Sequence, residues 1–138
     1  MTPLQSRLFE PVIAVHVVAA LLALVLGLLI LAARKGTPLH RFAGRAWVLA
    51  MAVTAGGSFL IEAQVLAVST PLGRFGPIHL LSAVTLYALG VAVTAIRAGD
   101  RRRHRRATTG AFAGLAVAGL FTVMPGRTLG AWLGVLLA

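Results

Sequence analysis

The sequence predicts an all-α membrane protein, a four-transmembrane-helix up-down bundle built from a duplicated two-helix hairpin. Three observations predict it. Hydrophobic residues make up 59% of the 138-residue chain and charged residues only 12%, about half the charged fraction of a water-soluble domain. The apolar residues fall into four long runs. Each is long enough to cross about 30 Å of hydrocarbon at about 1.5 Å per helical residue. The runs also repeat in register, as set out below.

The spans are expected at about 11–33, 38–68, 77–97 and 101–125 of a single transmembrane domain covering residues 1–138. The first is too long for a signal peptide and stops at Arg34-Lys35 without a small-residue cleavage site. The second opens on Thr37-Pro38, a cap followed by a first-turn proline. The third opens at Pro77. The fourth opens after Asp100, a good N-cap residue, and closes at Pro125-Gly126. The apolar tail 128–138 is too short to span and is expected at the interface, or packed on a neighbouring copy in a homodimer.

The charge balance is strongly basic, with 13 Lys and Arg against 3 acids and a formal net charge of +10. It is clustered rather than spread along a face, which argues against nucleic-acid binding. Ten of these cations (Arg34, Lys35, Arg41, Arg45, Arg97, Arg101, Arg102, Arg103, Arg105 and Arg106) fall in or beside the first and third loops. Arg7, Arg74 and Arg127 fall on the other side. The positive-inside rule then places those loops in the cytoplasm and both termini outside, in a multi-pass protein of a bacterial cytoplasmic (inner) membrane. The chain has no cysteine, which excludes disulfides, thiol catalysis, iron–sulfur ligation and covalent haem attachment.

The repeat is anchored on the four histidines. Aligning His16 with His79 brings Gly27 onto Gly90, Arg34 onto Arg97 and Gly36-Thr37 onto Gly99-Asp100. His40 and His104 then agree to within one residue. Two hairpins pointing the same way put the symmetry axis along the membrane normal. The topology places His16 and His79 at one depth near the outer face and His40 and His104 at one depth near the cytoplasm. Eighteen residues from His16 to Arg34 cover about 27 Å of helix, so the two layers cannot share one metal ion.

In an up-down bundle the first and third helices are diagonal, as are the second and fourth. A flat macrocycle with an imidazole on each side of its iron fits between diagonal helices. The reading is therefore two haem b groups: His16 and His79 as axial ligands of the outer one, His40 and His104 of the inner one. Arg41, Arg45, Arg105, Arg106 and Arg127, together with Arg74, are candidate propionate partners, with topology and lipid-headgroup binding as their plain role.

Small residues line the histidine faces. They are Ala20, Ala23 and Gly27; Ser82, Ala83 and Gly90; Gly44, Ala55 and Ser58; and Thr108, Ala111 and Ala118. The same stripe also serves plain helix packing in membranes. Glu62 reads as the partner of Arg74 or Arg127, with proton handling at a quinone or substrate pocket as the alternative. Met51 and Met124 read as core or lipid-facing, and Trp47 and Trp132 as packing residues or interface anchors. With only 3 acids, and no Ser/His/Asp set or phosphate loop, a hydrolase has few candidate residues.

Two resemblances follow. Arg34-Lys35-Gly36-Thr37-Pro38-Leu39-His40-Arg41 with Gly44-Arg45-Ala46-Trp47 resembles a motif of an uncharacterised family of bacterial four-helix predicted membrane proteins. So do Gly76-Pro77-Ile78-His79-Leu80-Leu81-Ser82 and Phe121-Thr122-Val123-Met124-Pro125-Gly126-Arg127. In architecture the chain is similar to the cytochrome b561 dihaem membrane cytochromes, whose diagonal helix pairs each hold one b-type haem. That resemblance implies a transmembrane oxidoreductase moving electrons across the membrane, with quinone or another small redox molecule as partner. This chain departs in having four spans and no recognisable ascorbate-site signature. The alternatives are a haem or metal carrier, or an accessory membrane subunit without its own redox turnover, and a structural or transport bundle without a cofactor.

Overall fold

A computed structural model describes residues 11–62, 68–71 and 73–122. Arg7, Met124, Arg127, Trp132 and the tail 128–138 lie outside the described residues. Four helices are present among them: α1 Pro11–Ala32, α2 Pro38–Gly57, α3 Pro77–Arg97 and α4 Arg101–Thr122. Two short antiparallel strands join the middle pair, β1 Val68–Thr70 and β2 Gly73–Phe75, with Val68 opposite Phe75 and Thr70 opposite Gly73. Three segments are long and apolar enough to cross a membrane: Pro11–Ala32, Pro38–Leu60 and Pro77–Arg97. The described part of the fourth helix begins with its arginine run, and its expected end at Pro125 lies outside the described residues.

The second span is shorter than expected. Its helix ends at Gly57 and continues as one 3-10 turn over Ser58–Leu60, and Val68 belongs to a strand. Gly56 and Gly57 weaken the helix, and the Ser58 hydroxyl donates to the Ala55 carbonyl at 2.8 Å. Ile61 is already extended, at φ −110° and ψ 120°. Twenty residues of α2 give about 30 Å of rise, the thickness of the hydrocarbon, whereas a helix from 38 to 68 would overshoot it by about half.

The two connecting turns that the expected repeat aligns are built alike. Gly36 and Gly99 both take left-handed backbone, φ +83° and +78°, a conformation that favours glycine. Each is followed by a cap: Thr37 Oγ1 accepts from the His40 amide at 3.1 Å, and Asp100 Oδ1 accepts from the Arg103 amide at 2.9 Å. The helix ends before the turns are closed differently. Gly99 and Asp100 amides donate to the Ile96 and Ala95 carbonyls, a Schellman closure. At the end of α1 the Lys35 ammonium instead donates to the Ile30 and Leu31 carbonyls at 2.6 and 2.8 Å.

α1 packs chiefly on α2 and α3 on α4, while α2 meets α3 and α1 touches α4. The packing inverts that of a water-soluble bundle. On α1, Ala19, Ala23 and Gly27 are buried while Val15, Val18, Leu21, Leu22 and Leu29 are exposed. Large apolar side chains turned outward and small ones turned inward fit a lipid solvent, in which close backbone approach supplies the packing. The centre is filled by Ala23, Trp47, Ala50, Met51, Leu89 and Ala111, with Phe112 packed against them. Met51 is therefore a core residue, 2% exposed, and Trp47 is a packing residue, 4% exposed.

Candidate functional site

The four histidines occupy two ends of this bundle, separated by the filled centre. At the end of the arginine clusters, His40 sits in the first turn of α2 and His104 in the first turn of α4. Both therefore lie at the same end of the bundle, the end that also carries Lys35. His104 Nδ1 lies 2.9 Å from the Ala92 carbonyl of α3. A carbonyl only accepts, so Nδ1 carries the proton and Nε2 of the neutral ring is a free lone pair. That is the usual arrangement of a ligating imidazole, with one nitrogen anchored to the protein and the other available. The His40 Nδ1 is buried with no hydrogen-bond partner, and an orphaned buried ring nitrogen is costly unless something else satisfies it.

At the other end the two rings differ. His16 faces α2. Its Nδ1 is buried without a partner and would stand 3.9 Å from a Cβ placed on Gly57, and the Thr54 backbone lies within its reach. His79 is buried and committed on both sides. Its Nδ1 accepts from the Gly76 amide at 3.1 Å, and its Nε2 donates to the Ile61 carbonyl at 3.1 Å. Phe75 and Phe59 pack on the ring at centroid distances of 4.7 and 5.7 Å. His79 thus ties the end of α2 to the start of α3. To ligate iron through Nε2 it would have to release Ile61 and move a proton to Nδ1, displacing Gly76.

The fit of the residues to two haems is therefore uneven. The pair at the arginine-rich end fits: one ring is anchored through Nδ1, and the other carries an unpartnered nitrogen. The outer pair fits through His16 and requires His79 to exchange its partners. Among the described residues no group of three or more His, Cys, Asp or Glu side chains comes together to hold a bare metal ion. A macrocycle between two imidazoles needs no such group.

The residues around the histidines are only partly those expected. Ser58 and Ser82 do meet between α2 and α3, with Oγ atoms 2.7 Å apart, and both are buried. Thr54 and Thr85, not singled out from sequence, are buried near them and bond back to the Ala50 and Leu81 carbonyls. Their signal is the spacing: 54 on α2 and 58 at the start of the 3-10 turn that continues it, and 79, 82 and 85 on α3, recur at helical period. Ala83 and Gly90 are exposed, so they do not line the interior with His79. Arg41, Arg45 and Arg105 are exposed at the same end as His40 and His104, and no ion pair is formed among the described residues. Lys35, expected to serve topology, also caps α1. Glu62 and Arg74 line one cavity of about 290 Å³ with Phe59, Phe75 and His79 but form no ion pair there.

No curated protein and no solved structure matches the chain. The profile of a family described as predicted membrane protein (DUF2306) matches residues 13–131. With helices that carry leucine and valine outward and alanine inward, and with nearly the whole chain matched, the protein belongs to this family of predicted membrane proteins.

Proposed function

We propose that the protein is a dihaem b-type membrane cytochrome that carries electrons across a bacterial cytoplasmic membrane, to or from quinone or another small redox partner. The likeness to the cytochrome b561 group belongs to this proposal and rests on helix number and histidine layout. It takes all four helices as crossings, with both termini outside and the arginine-rich turns in the cytoplasm. The observation that carries the reading is the inner pair, in which His104 is anchored through Nδ1 to Ala92 and the neighbouring His40 has an unpaired buried Nδ1. Between His40 and His104, and between His16 and His79, a haem held by two imidazoles would supply one-electron transfer rather than oxygen chemistry. The protein's part is to hold the rings, place Arg41, Arg45 and Arg105 beside the carboxylates of the inner group, and keep the two layers apart with the Trp47–Met51 centre. Arg127, outside the described residues, would take the corresponding part at the outer group.

A second reading is favoured by His79. Because both of its nitrogens are engaged, a single inner haem, in a carrier or accessory subunit, needs no rearrangement. Purification in detergent, with haem supplied during expression, decides between them by the haem-to-protein ratio and the reduced-minus-oxidised spectrum. A ratio near two with sharp low-spin bands supports the dihaem cytochrome. A ratio near one, abolished by His40 or His104 replacement and insensitive to His79 replacement, supports the carrier. Absence of haem under these conditions sinks both.

A further inference from the structure

A groove of about 280 Å³ runs between α3 and α4, walled by Leu81 and Val84 on one side and by Ala107, Gly110 and Gly114 on the other, with Arg106 at its end. We propose that this groove holds one acyl chain of an anionic phospholipid whose headgroup is bound by Arg106, in the leaflet that contains the arginine cluster. None of the four histidines lines the groove; Arg106, a candidate propionate partner by sequence, is here taken as a lipid ligand instead, and the proposal does not depend on haem.

Four features support this occupant. The groove is almost wholly apolar, and Arg106 is its only charged residue. Arg106 lies eight residues from Gly114, about 12 Å along the helix, within the depth of one leaflet of a bilayer with about 30 Å of hydrocarbon. Gly110 is open toward the groove, since a Cβ built there meets nothing within 4 Å. The first turns of α4 carry Arg101, Arg102, Arg103, Arg105 and Arg106, all exposed and without an acidic partner among the described residues. A second copy of the chain in the same membrane would bring its own arginine cluster to the same depth, where like charges repel. A phosphate headgroup brings the opposite charge, and the long arginine stem reaches from the apolar groove to the interface.

The test is native mass spectrometry of the full chain in mild detergent, after addition of dioleoyl phosphatidylglycerol or dioleoyl phosphatidylcholine. The wild type is expected to retain the anionic lipid about fivefold more than the neutral one, the preference that one arginine at an anionic headgroup confers. Arg106→Gln should abolish that preference, while Arg102→Gln, outside the groove, should keep it. Gly110→Leu, which places a side chain in the open space and favours the helix, should lower retention of both lipids. Equal retention of the two lipids by the wild type would overturn the proposal. So would equal losses from the two arginine variants, which would mark a diffuse charge cluster, or a dimer that Gly110→Leu dissociates, which would mark a second copy as the occupant. Should Gly110→Leu fail to fold, as judged by its circular dichroism, the two arginine variants decide alone.

Discussion

The two hairpins carry the same signature in sequence and use it differently. In α1–α2 both histidines leave Nδ1 buried and unpaired. In α3–α4 both histidines are tied to backbone: His79 to Gly76 and Ile61, His104 to Ala92. The first hairpin therefore holds the rings that need a partner, and the second holds the rings whose orientation is set by protein. The two hairpins together place one unpartnered and one anchored imidazole at each end of the bundle. The difference teaches that a shared spacing does not imply a shared role, because each ring's partners come from the other elements packed against it.

The comparison can be broken most sharply at the histidines. If the proposed dihaem reading holds, His104→Ala and His40→Ala should each remove the haem at the arginine-rich end completely, read as loss of its low-spin absorption bands, while His16→Ala leaves that haem in place. Retention of those bands in both inner variants would refute the assigned pair. Next in size is fold stability. His79→Ala removes two hydrogen bonds and leaves a buried cavity, so it should cost about 2–4 kcal/mol in detergent unfolding. His16→Ala in protein free of haem should cost less than about 1 kcal/mol, since it removes an unsatisfied nitrogen. Equal losses would mean that the two outer histidines are held alike.

The paired glycines give a smaller effect of the same kind. A Cβ on Gly27 would stand 2.9 Å from Trp47 Nε1 and closer still to the Phe112 ring, whereas one on Gly90 meets nothing within 4 Å. Gly27→Ala should therefore destabilise by about 1–3 kcal/mol through overpacking. Gly90→Ala should be neutral or stabilise by up to about 1 kcal/mol, as helix propensity favours. The smallest expected contrast is at the caps. Thr37→Ala and Asp100→Ala should each cost about 0.5–2 kcal/mol. The Asp100 change should be relieved more by salt, because it also removes an acid from the arginine cluster.

Much of the fold was legible in the chain. The starts at Pro38 and Pro77, the turn glycines Gly36 and Gly99 and the length of α1 follow from local rules: proline fixes φ, glycine accepts left-handed backbone, and an apolar run of fixed rise matches a bilayer. The early end of α2 was not legible, because Leu60, Ile61 and Val65 continue the apolar pattern, and only the Gly56-Gly57-Ser58 break and the contact from His79 show where the helix gives way. The site was legible as residue types and depths and illegible as partners. The Ile61 carbonyl lies 18 residues from His79, and Ala92 lies 12 from His104.

The sequence by itself determined the membrane class, the three long apolar helices found among the described residues, the clustering of the charge at one end and the two ends at which the histidines lie. Each of these depends on composition or on distance along one chain direction. Tertiary structure alone decided which ring nitrogens are free, which of two matched glycines is indispensable and which arginine borders an open apolar groove. Those depend on what a neighbouring helix presents across a gap of a few ångströms, and a one-residue slip between repeats, such as that from His40 to His104, turns a side chain by about 100° around its helix.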